Sequence, residues 1–557
     1  MPNQAFQAFN EARAFLQHHR DDYQKAYAEF RWPKLDKFNW ALDWFDQFAK
    51  NNQKPALHLI SETAAPVVKS YAQMSESSNR VANAFRAWGV KRGDRILVML
   101  GNELALWEAM LAAMKLGAVV IPATTQLTKM DLQDRFARGQ VTHVLVDQNG
   151  PPKFDDLPGN YTRIVSGTAK GWYSFSEAYA FSPDFKADGE TKATDPLLLY
   201  FTSGTTAKPK LVLHTHQSYP VGHLTTMYWV GIREGDVHMN VSSPGWAKHA
   251  WSSFFAPWSA GACIVGWEYK KFSAAGLIQV LRDAKVNTMC APPTVWRMVI
   301  LDALGTKPAD LRELASAGEP LNPEVIERVR AAWNVTIRDG YGQTETSALV
   351  GNSPGQTVTV GAMGRPLPGY EVVLLDSSGK EASEGEVALK LSPRPTGLMV
   401  GYLDDGERTA AAMANGYYRT GDEATRDAAG HYIFLARGDD LFKSSDYRIS
   451  PFELESALLE HPSVAEAAVI PSPDPLRLSV PKAFVVLKPG LEPSAAAAKA
   501  IFAFCKERLA PYKRIKRIQF SALPKTISGK IRRVELRSQE NARRAAGETG
   551  EHEYDAE

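Results

Sequence analysis

Apolar and polar positions alternate along most of the chain in a rhythm typical of a parallel sheet covered by helices. Short, mostly apolar runs that predict strands lie at 95–100, 118–121, 143–146, 263–265, 286–289 and 314–317. Patterns that predict helices lie at 103–116, 273–284, 294–304 and 323–333. Strands that alternate with helices in this way predict an α/β fold with parallel-rich sheets.

The pattern changes at both ends of this region. Residues 5–50 are aromatic and amphipathic and predict helices that lie over a larger body. From 370 short strands alternate with turns and predict a small β-rich subdomain. After 438 a further unit of about 100 residues combines strands with helices, which is enough for a small α+β domain. We therefore predict a large domain at 1–438, a C-terminal domain at 439–540 and, because apolar residues are scarce there, a disordered tail at 541–557.

Composition excludes several classes of function. The net charge of +2 over 557 residues gives no electrostatic reason to bind nucleic acid or a membrane surface. The three cysteines, Cys263, Cys290 and Cys505, lack the spacing of a zinc site or a disulfide scaffold. The sequence has no apolar run long enough for a transmembrane helix and no apolar core of a signal peptide near its start. The expected location is a reducing cytoplasm.

The loop after the predicted strand at 197–201 is the strongest chemical signal. Residues 200–210 (YFTSGTTAKPK) combine short hydroxyl side chains, one glycine and two lysines. Hydroxyl donors, a close backbone approach and positive charge suit a polyphosphate. The second glycine of a Walker A loop is absent. Taken alone, the loop is equally consistent with a solvated turn.

Further segments give this loop a context. They are 341–345 (YGQTE), 418–422 (YRTGD), 437–440 (RGDD) and 524–530 (PKTISGK). With the loop, they resemble the signature set of the adenylate-forming superfamily, which contains acyl-CoA synthetases, peptide-synthetase adenylation domains and firefly luciferase. The resemblance spans about residues 38–537. Residues 244–248 (PGWAK) and 444–448 (SSDYR) are most similar to medium-chain acyl-CoA synthetases.

The resemblance implies that the C-terminal domain is mobile. It also implies ATP and CoA as substrates, Mg²⁺ as the metal activator, and no redox cofactor. It implies these ATP- or AMP-binding residues: Thr202, Ser203, Gly204, Thr205, Thr206, Lys210, Gly318, Glu319, Pro320, Asp339, Gly340, Tyr341, Gly342, Gln343, Thr344, Asp422, Arg437, Arg448 and Lys530. The implied catalytic residues are Lys530, Glu345, Thr205, Lys210 and Arg448. Glu345 is the implied Mg²⁺ ligand, and Asp439 the implied hinge.

The implied CoA-binding residues are Ser445, Asp446, Tyr447 and Arg477. Position 446 departs from the family pattern, which usually has glycine where pantetheine reaches the adenylate. A carboxylate there adds bulk and negative charge, so the thioester half-reaction is the step that this residue puts in question.

Position 342 indicates the size of the acid substrate. Acetate-specific relatives have tryptophan there, whereas Gly342 is expected to leave volume for a longer or aromatic acyl group. Trp246 is the second predicted residue of the acyl pocket. Trp251 and Trp296 are further aromatic candidates, although an aromatic residue is at least as often part of the core.

The expected function is an acid–thiol ligase that converts a medium-chain or aromatic carboxylic acid to acyl-AMP and then to acyl-CoA. One alternative is a stand-alone adenylating enzyme that passes the acyl group to a carrier protein or another acceptor. The other is a non-catalytic acyl-nucleotide sensor. The expected partners are small molecules only, and the sequence indicates no oligomeric state.

Overall fold

The structure is a computed structural model that describes residues 3–202, 209–302, 304–438, 440–444, 447–474, 478–526 and 529–556; the side chains of 447, 448 and 478 are outside the description. The N-terminal part of the large domain contains α1 (Gln4–His18), α2 (Tyr23–Glu29), α3 (Asp46–Ala49), β1 (Pro55–Ser61), β2 (Val67–Ser70), α4 (Tyr71–Ala87), β3 (Arg95–Met99), α5 (Leu104–Leu116), β4 (Val119–Pro122), α6 (Lys129–Gly139), β5 (His143–Val146), β6 (Thr162–Val165), β7 (Tyr173–Ser174), β8 (Pro196–Thr202) and β9 (Lys210–Thr215).

The middle of the chain continues with α7 (Ser218–Val230), β10 (Val237–Asn240), α8 (Ala247–Ala250), α9 (Ala256–Ala260), β11 (Cys263–Glu268), α10 (Ala274–Asp283), β12 (Thr288–Ala291), α11 (Pro293–Leu301), β13 (Glu313–Ser316), α12 (Pro323–Trp333), β14 (Ile337–Gly342), β15 (Ala348–Gly351) and β16 (Arg365–Pro366). Single π-helical turns occupy Trp40–Phe45 and Trp251–Phe255.

The last elements of the large domain are β17 (Val372–Leu375), β18 (Glu381–Ala382), β19 (Glu384–Lys390), β20 (Gly401–Tyr402), α13 (Gly406–Ala412), β21 (Tyr417–Arg426) and β22 (Tyr432–Arg437). The C-terminal domain contains β23 (Phe442–Ser444), β24 (Tyr447–Ile449), α14 (Pro451–Leu459), β25 (Val464–Asp474), β26 (Leu478–Leu487), α15 (Ala495–Arg508), β27 (Arg517–Phe520), α16 (Arg533–Ala545) and β28 (Glu553–Asp555).

Two large sheets form the body of the molecule. Their strand orders are β16-β15-β14-β13-β12-β10-β11-β1-β2 and β20-β9-β8-β4-β3-β5-β6-β7. The central pairs of both sheets are parallel, and antiparallel pairs such as β8–β9 and β14–β15 lie toward the edges. The predicted α/β class with parallel-rich sheets is confirmed.

The two smaller units match their predictions as well. The sheet β18-β17-β19-β21-β22 is the β-rich subdomain, and its strand pairs are antiparallel. The C-terminal unit combines the sheet β25-β26-β27-β28 with α14, α15 and α16 around its own apolar core. At the other end of the chain, the aromatic N-terminal segment packs into the main core of the large domain, where Trp40 and Trp44 are fully buried.

The prediction of a disordered tail at 541–557 is wrong for the part that the structure describes. α16 continues to Ala545, and β28 pairs with β27 in antiparallel register. The tail is held by both paired charges and an aromatic contact. The buried Lys482 ammonium lies 2.5 Å from Glu540 and 2.8 Å from Glu553, and the ring of Tyr554 packs 5.8 Å from that of Phe520. Composition alone suggested disorder because it does not show that these charges have partners.

Candidate active site

The predicted site residues lie where strands of both large sheets end. β8 ends at Thr202, just before the hydroxyl-rich loop, while β13 ends at Ser316 and β14 at Gly342. The segments 317–320 and 343–346 follow directly. In open α/β sheets, ligands bind in the crevice outside the carboxyl ends of the strands. By this rule, the end of β8 and the segments 317–320 and 343–346 are candidates for the lining of one crevice.

Asp422 is a buried carboxylate that several donors hold in place. The Tyr341 hydroxyl and the Gln343 side-chain amide each donate to its Oδ2 at 2.6 Å. Arg437, its register partner on β22, lies 3.7 Å from Oδ1. Burial raises the pKa of Asp422, and Arg437 opposes that shift. The Asp422 carboxylate is therefore a buried hydrogen-bond acceptor whose orientation is fixed by its donors.

Asp339 is also buried, and it binds the backbone of the loop that follows β13. Its carboxylate accepts hydrogen bonds from the backbone amides of Gly340, at 3.0 Å, and Leu321, at 3.3 Å. Burial raises the pKa of Asp339 to about 7. On the other side of the strand, a Cβ at Gly340 would lie 2.3 Å from the indole of Trp229, so only glycine allows this close packing. Asp339 thus fixes the shape of the crevice wall near Glu319 and Pro320.

Glu345 is held by residues of the other large sheet. The Tyr402 hydroxyl donates to its Oε1 at 3.0 Å, and the Lys210 ammonium lies 3.9 Å from the same oxygen. Lys210 also lies 5.1 Å from the centre of the Tyr402 ring. These three residues join β9 and β20 to the segment after β14.

The donor set around Glu345 fits Mg²⁺. Within the described residues, no group of three or more His, Cys, Asp or Glu side chains is placed to bind a metal ion. Mg²⁺ commonly takes only one or two protein carboxylates and completes its ligands with water and substrate phosphates. A single oriented carboxylate beside the ammonium of Lys210 meets that requirement.

Two lysines from different domains lie close enough for their charges to interact. Lys248 donates to the carbonyl oxygen of Ala317 at 2.7 Å. Burial lowers the pKa of Lys248 to about 8, and the positive charge of Lys530 adds to that effect. A Cβ on Gly529 would lie 3.8 Å from the Thr294 side chain of α11. The C-terminal domain therefore presents the Lys530 loop to the large domain.

The expectation of open volume at Gly342 is wrong at the position of its Cβ. A Cβ there would lie 2.3 Å from the carbonyl oxygen of Ser347 and 2.6 Å from the indole of Trp251. Trp251 is fixed in this position because its indole N–H donates to the Tyr219 hydroxyl at 2.9 Å. A tryptophan from the π-helical turn thus occupies the space that the missing side chain was expected to leave.

The other tryptophans differ in environment. Trp246 is partly exposed and precedes α8. Trp296 is fully buried among the apolar residues that pack on the β10–β14 side of the molecule. Trp296 is therefore a core residue, and Trp246 stays a candidate for the acyl pocket.

Several predicted residues lie outside the described part of the chain. They are Ser203, Gly204, Thr205, Thr206, Asp439, Ser445, Asp446 and Arg477. The backbones of Tyr447 and Arg448 belong to β24, and their side chains are outside the description. Thr344, which is described, accepts a hydrogen bond through its carbonyl oxygen from His214 at 2.8 Å.

Sequence reasoning missed residues that act on the predicted ones. Tyr402 orients Glu345 but lies 57 positions away, in a strand of two residues, and carries no local signal. Arg297 lies 3.3 Å from Glu319. From the sequence, Arg297 is predicted only to belong to a helix. Lys248 belongs to the segment 244–248, whose similarity to medium-chain acyl-CoA synthetases was a usable signal.

Family models match most of the chain. The model described as AMP-binding enzyme matches residues 44–403, and the model described as AMP-binding enzyme C-terminal domain matches residues 453–530. A 4-hydroxybutyrate–CoA ligase of Metallosphaera sedula is 43% identical over 534 residues, which cover 93% of this chain and 94% of that protein. The mitochondrial acyl-coenzyme A synthetase ACSM3 of Mus musculus is 36% identical over 541 residues, or 93% of each chain.

Solved structures agree with these relatives. An anthranilate CoA ligase, AuaEII, in complex with anthranoyl-AMP superimposes with a TM-score of 0.83 at 28% identity, covering 91% of this chain and 98% of that chain. A benzoate CoA ligase from Burkholderia xenovorans LB400 gives a TM-score of 0.79 at 30% identity, covering 90% of this chain and 100% of that chain. In the described part of this chain, no helix has the length and apolar character needed to cross a membrane.

Proposed function

The chain belongs to the AMP-binding enzyme family, and from that premise we propose that it joins a medium-chain or aromatic carboxylic acid to CoA. The enzyme is an AMP-forming acyl-CoA synthetase. In the first half-reaction the carboxylate oxygen attacks the α-phosphorus of ATP and pyrophosphate leaves. In the second, the sulfur of CoA attacks the acyl carbonyl carbon, the thiol proton is released, and AMP leaves.

One observation carries the proposal for the first half-reaction. Gln343 donates to the Asp422 carboxylate, and two residues further along the chain Glu345 lies 3.9 Å from Lys210. Lys530 of the small domain is near enough to Lys248 for its charge to lower the pKa of that lysine. A ribose acceptor, a metal ligand and two cations are the groups that a reaction between two anions requires. A binding protein has no need of a lysine supplied by a second domain.

We assign the roles as follows. Asp422, with Arg437 beside it, accepts from the ribose hydroxyls, and the segments 318–320 and 339–344 frame the adenine. Glu345 would hold Mg²⁺, which would supply positive charge against the phosphates. Lys530 approaches the carboxylate and the α-phosphate, because a compact ammonium on a long stem can follow charge as it develops. Arg448 and the loop residue Thr205 are proposed as further phosphate contacts.

The second half-reaction is assigned to the segments beside the domain junction. We propose that the small domain turns about Asp439, so that Lys530 leaves the crevice and Ser445, Asp446 and Tyr447 come to line the path of pantetheine. Arg477 is proposed to bind a phosphate of CoA. The relatives named above support a CoA ligase over a stand-alone adenylating enzyme or a non-catalytic sensor, since both curated relatives are named as CoA ligases or acyl-CoA synthetases.

The acid itself is proposed from the pocket wall and the relatives. Trp251 fills the space next to Gly342. We propose that the acyl group passes beside this indole toward Trp246. Names among the relatives include 4-hydroxybutyrate, anthranilate and benzoate. We propose a medium-chain or aromatic acid and include 4-hydroxybutyrate among the acids to be tested.

The test is a screen of pyrophosphate release over straight-chain acids from acetate to decanoate, 4-hydroxybutyrate, benzoate and anthranilate, with and without CoA. Mass spectrometry then identifies the acyl product. Acid-dependent pyrophosphate release together with acyl-CoA supports the proposal. Accumulated acyl-adenylate without thioester from every acid would contradict the CoA-ligase assignment, and preference for acetate would contradict the proposed acid class.

A further inference from the structure

A polar contact joins the large domain to the small one at a distance from the reacting groups. The side-chain amide of Asn322 donates to the hydroxyl of Ser456 at 3.0 Å. Asn322 immediately precedes α12 of the large domain and is 3% exposed. Ser456 lies on α14, the first helix of the small domain. The amide of Asn322 makes no capping bond to its own helix, so its side chain serves this contact instead.

A second residue, Arg297, also binds the side chain of Asn322. Arg297 of α11 donates through Nη1 to the Asn322 side-chain oxygen at 3.4 Å and through Nη2 to Glu319 at 3.3 Å. The side chains of Arg297 and Glu319 are only 16% and 20% exposed. A continuous polar path therefore runs from Glu319, in the loop after β13, through Arg297 and Asn322 to Ser456.

The helix that carries Ser456 is also bound to the segment that carries Lys530. Arg533, three residues after Lys530, binds Glu455 of α14 through two nitrogens, at 2.6 and 3.1 Å. Glu455 is the neighbour of Ser456 and is itself buried. Because this ion pair ties α14 to the segment that carries Lys530, any motion that carries Ser456 away from Asn322 displaces Lys530 as well.

We infer that Asn322, braced by Arg297, is a positioning residue that holds the small domain in the orientation in which Lys530 faces the crevice. The path to Glu319 links that orientation to the loop proposed to frame the adenine. The inference rests on the proposed function, because it matters only if the small domain takes a second orientation for thioester formation. The bond is neutral and partly buried, so it stabilises one orientation without locking it.

The first test separates the two half-reactions in the full-length enzyme. Loss of a neutral hydrogen bond changes an equilibrium by about two- to tenfold, so Ser456→Ala should lower acid-dependent ATP–pyrophosphate exchange by about that factor. Thioester formation from supplied acyl-adenylate and CoA should stay equal or rise. Ser463→Ala is the matched control, since Ser463 of the same domain bonds its neighbours through backbone groups.

Rescue distinguishes positioning from general damage. Asn322→Asp keeps an oxygen for Arg297 and an acceptor for the Ser456 hydroxyl, so it should exchange pyrophosphate near the wild-type rate, whereas Asn322→Ala should resemble Ser456→Ala. Equal losses in both half-reactions, or wild-type exchange in Ser456→Ala, would overturn the inference. Absence of exchange in the wild type would instead contradict the proposed function.

A distance measurement reads the orientation directly. Met130, 76% exposed on the large domain, and Leu491, 46% exposed on the small one, are suitable for paired spin labels after Met130→Cys and Leu491→Cys. The native cysteines are buried and should not react. Ser456→Ala should reduce the population at the wild-type distance in favour of another. An unchanged distance distribution would contradict the inference.

Discussion

The Tyr402 hydroxyl donates a hydrogen bond of 3.0 Å to Glu345, so one sheet orients the proposed metal ligand that follows a strand of the other. Lys210, on the strand paired with β20, lies 3.5 Å from the same hydroxyl. The hydroxyl thus touches both the anion and the cation of the proposed phosphate site. Its position depends on the packing of the two sheets and is a property of the assembled large domain.

Tyr402→Phe is expected to lower acid-dependent ATP–pyrophosphate exchange by about tenfold or more, because a hydrogen bond to a charged group contributes about 1.5–3 kcal/mol. The Mg²⁺ concentration for half-maximal activity should rise. Tyr417→Phe is the matched control, since it removes a tyrosine bond to Glu381 at the surface. Exchange and Mg²⁺ dependence equal to wild type in Tyr402→Phe would show that Glu345 is oriented without it.

Lys530→Ala is expected to reduce acyl-adenylate formation by about 10²–10³, the usual effect of removing one preorganised charge. Thioester formation from supplied acyl-adenylate should be largely retained, because Lys530 is proposed to serve only the first half-reaction. Lys525→Ala, which breaks a surface pair with Glu466 at 2.6 Å, controls for local damage. Pyrophosphate exchange at the wild-type rate in Lys530→Ala would refute the assignment.

Asp339 gives stability a pH dependence of unusual sign. Burial raises its pKa from 3.8 to about 7. Between these values the folded state retains a proton that the unfolded chain has released, so the free energy of unfolding falls as pH rises, by about 1.4 kcal/mol per pH unit. Asp339→Asn should remove this slope.

Thermal unfolding of the wild type and Asp339→Asn from pH 4 to pH 7 measures the difference. As pH rises across this window, the melting temperature of the wild type should fall relative to that of Asp339→Asn. Asp376→Asn is the control: hydrogen bonds from Ser378 lower the pKa of this exposed carboxylate, so it is ionised in both states across this window and its replacement should not change the slope. Parallel curves for wild type and Asp339→Asn would contradict a buried, protonated Asp339.

Gly342→Ala is expected to destabilise the fold and lower activity, because its Cβ would overlap Ser347 and Trp251. Overpacking of this kind typically costs about 1–3 kcal/mol. Gly189→Ala, where nothing lies within 4 Å of an added Cβ, is the matched control. Wild-type stability of Gly342→Ala would show that Ser347 and Trp251 can move to accommodate the added methyl group. Gly342→Trp would then be expected to shift substrate preference toward acetate and propionate.

Asp446→Gly tests the thioester half-reaction. Glycine is the usual occupant in the resembling families, so we expect acyl-CoA formation to be retained or to change modestly. Acyl-CoA from octanoate, butyrate and benzoate is measured by mass spectrometry for both proteins. If wild type yields adenylate only and Asp446→Gly gains thioester formation, the carboxylate blocks pantetheine and the stand-alone adenylating enzyme becomes the better reading.

The sequence by itself determined the fold class, the large domain and its β-rich subdomain, and the separate C-terminal unit. Strand and helix periodicity is a local property, and Pro323 at the first position of α12 illustrates how local chemistry sets a boundary. Short signatures singled out Asp422 and Glu345 through their resemblance to a known family, and the roles of both residues stay predictions.

Tertiary structure decided what lies opposite each of these residues. Trp251 closes the space at Gly342, and Tyr402 orients Glu345, because two sheets distant in sequence meet at one crevice. The ordered tail depends in the same way on Lys482, whose buried charge requires the carboxylates of Glu540 and Glu553. Contacts between segments far apart in the chain depend on packing geometry, and composition and periodicity contain no record of that geometry.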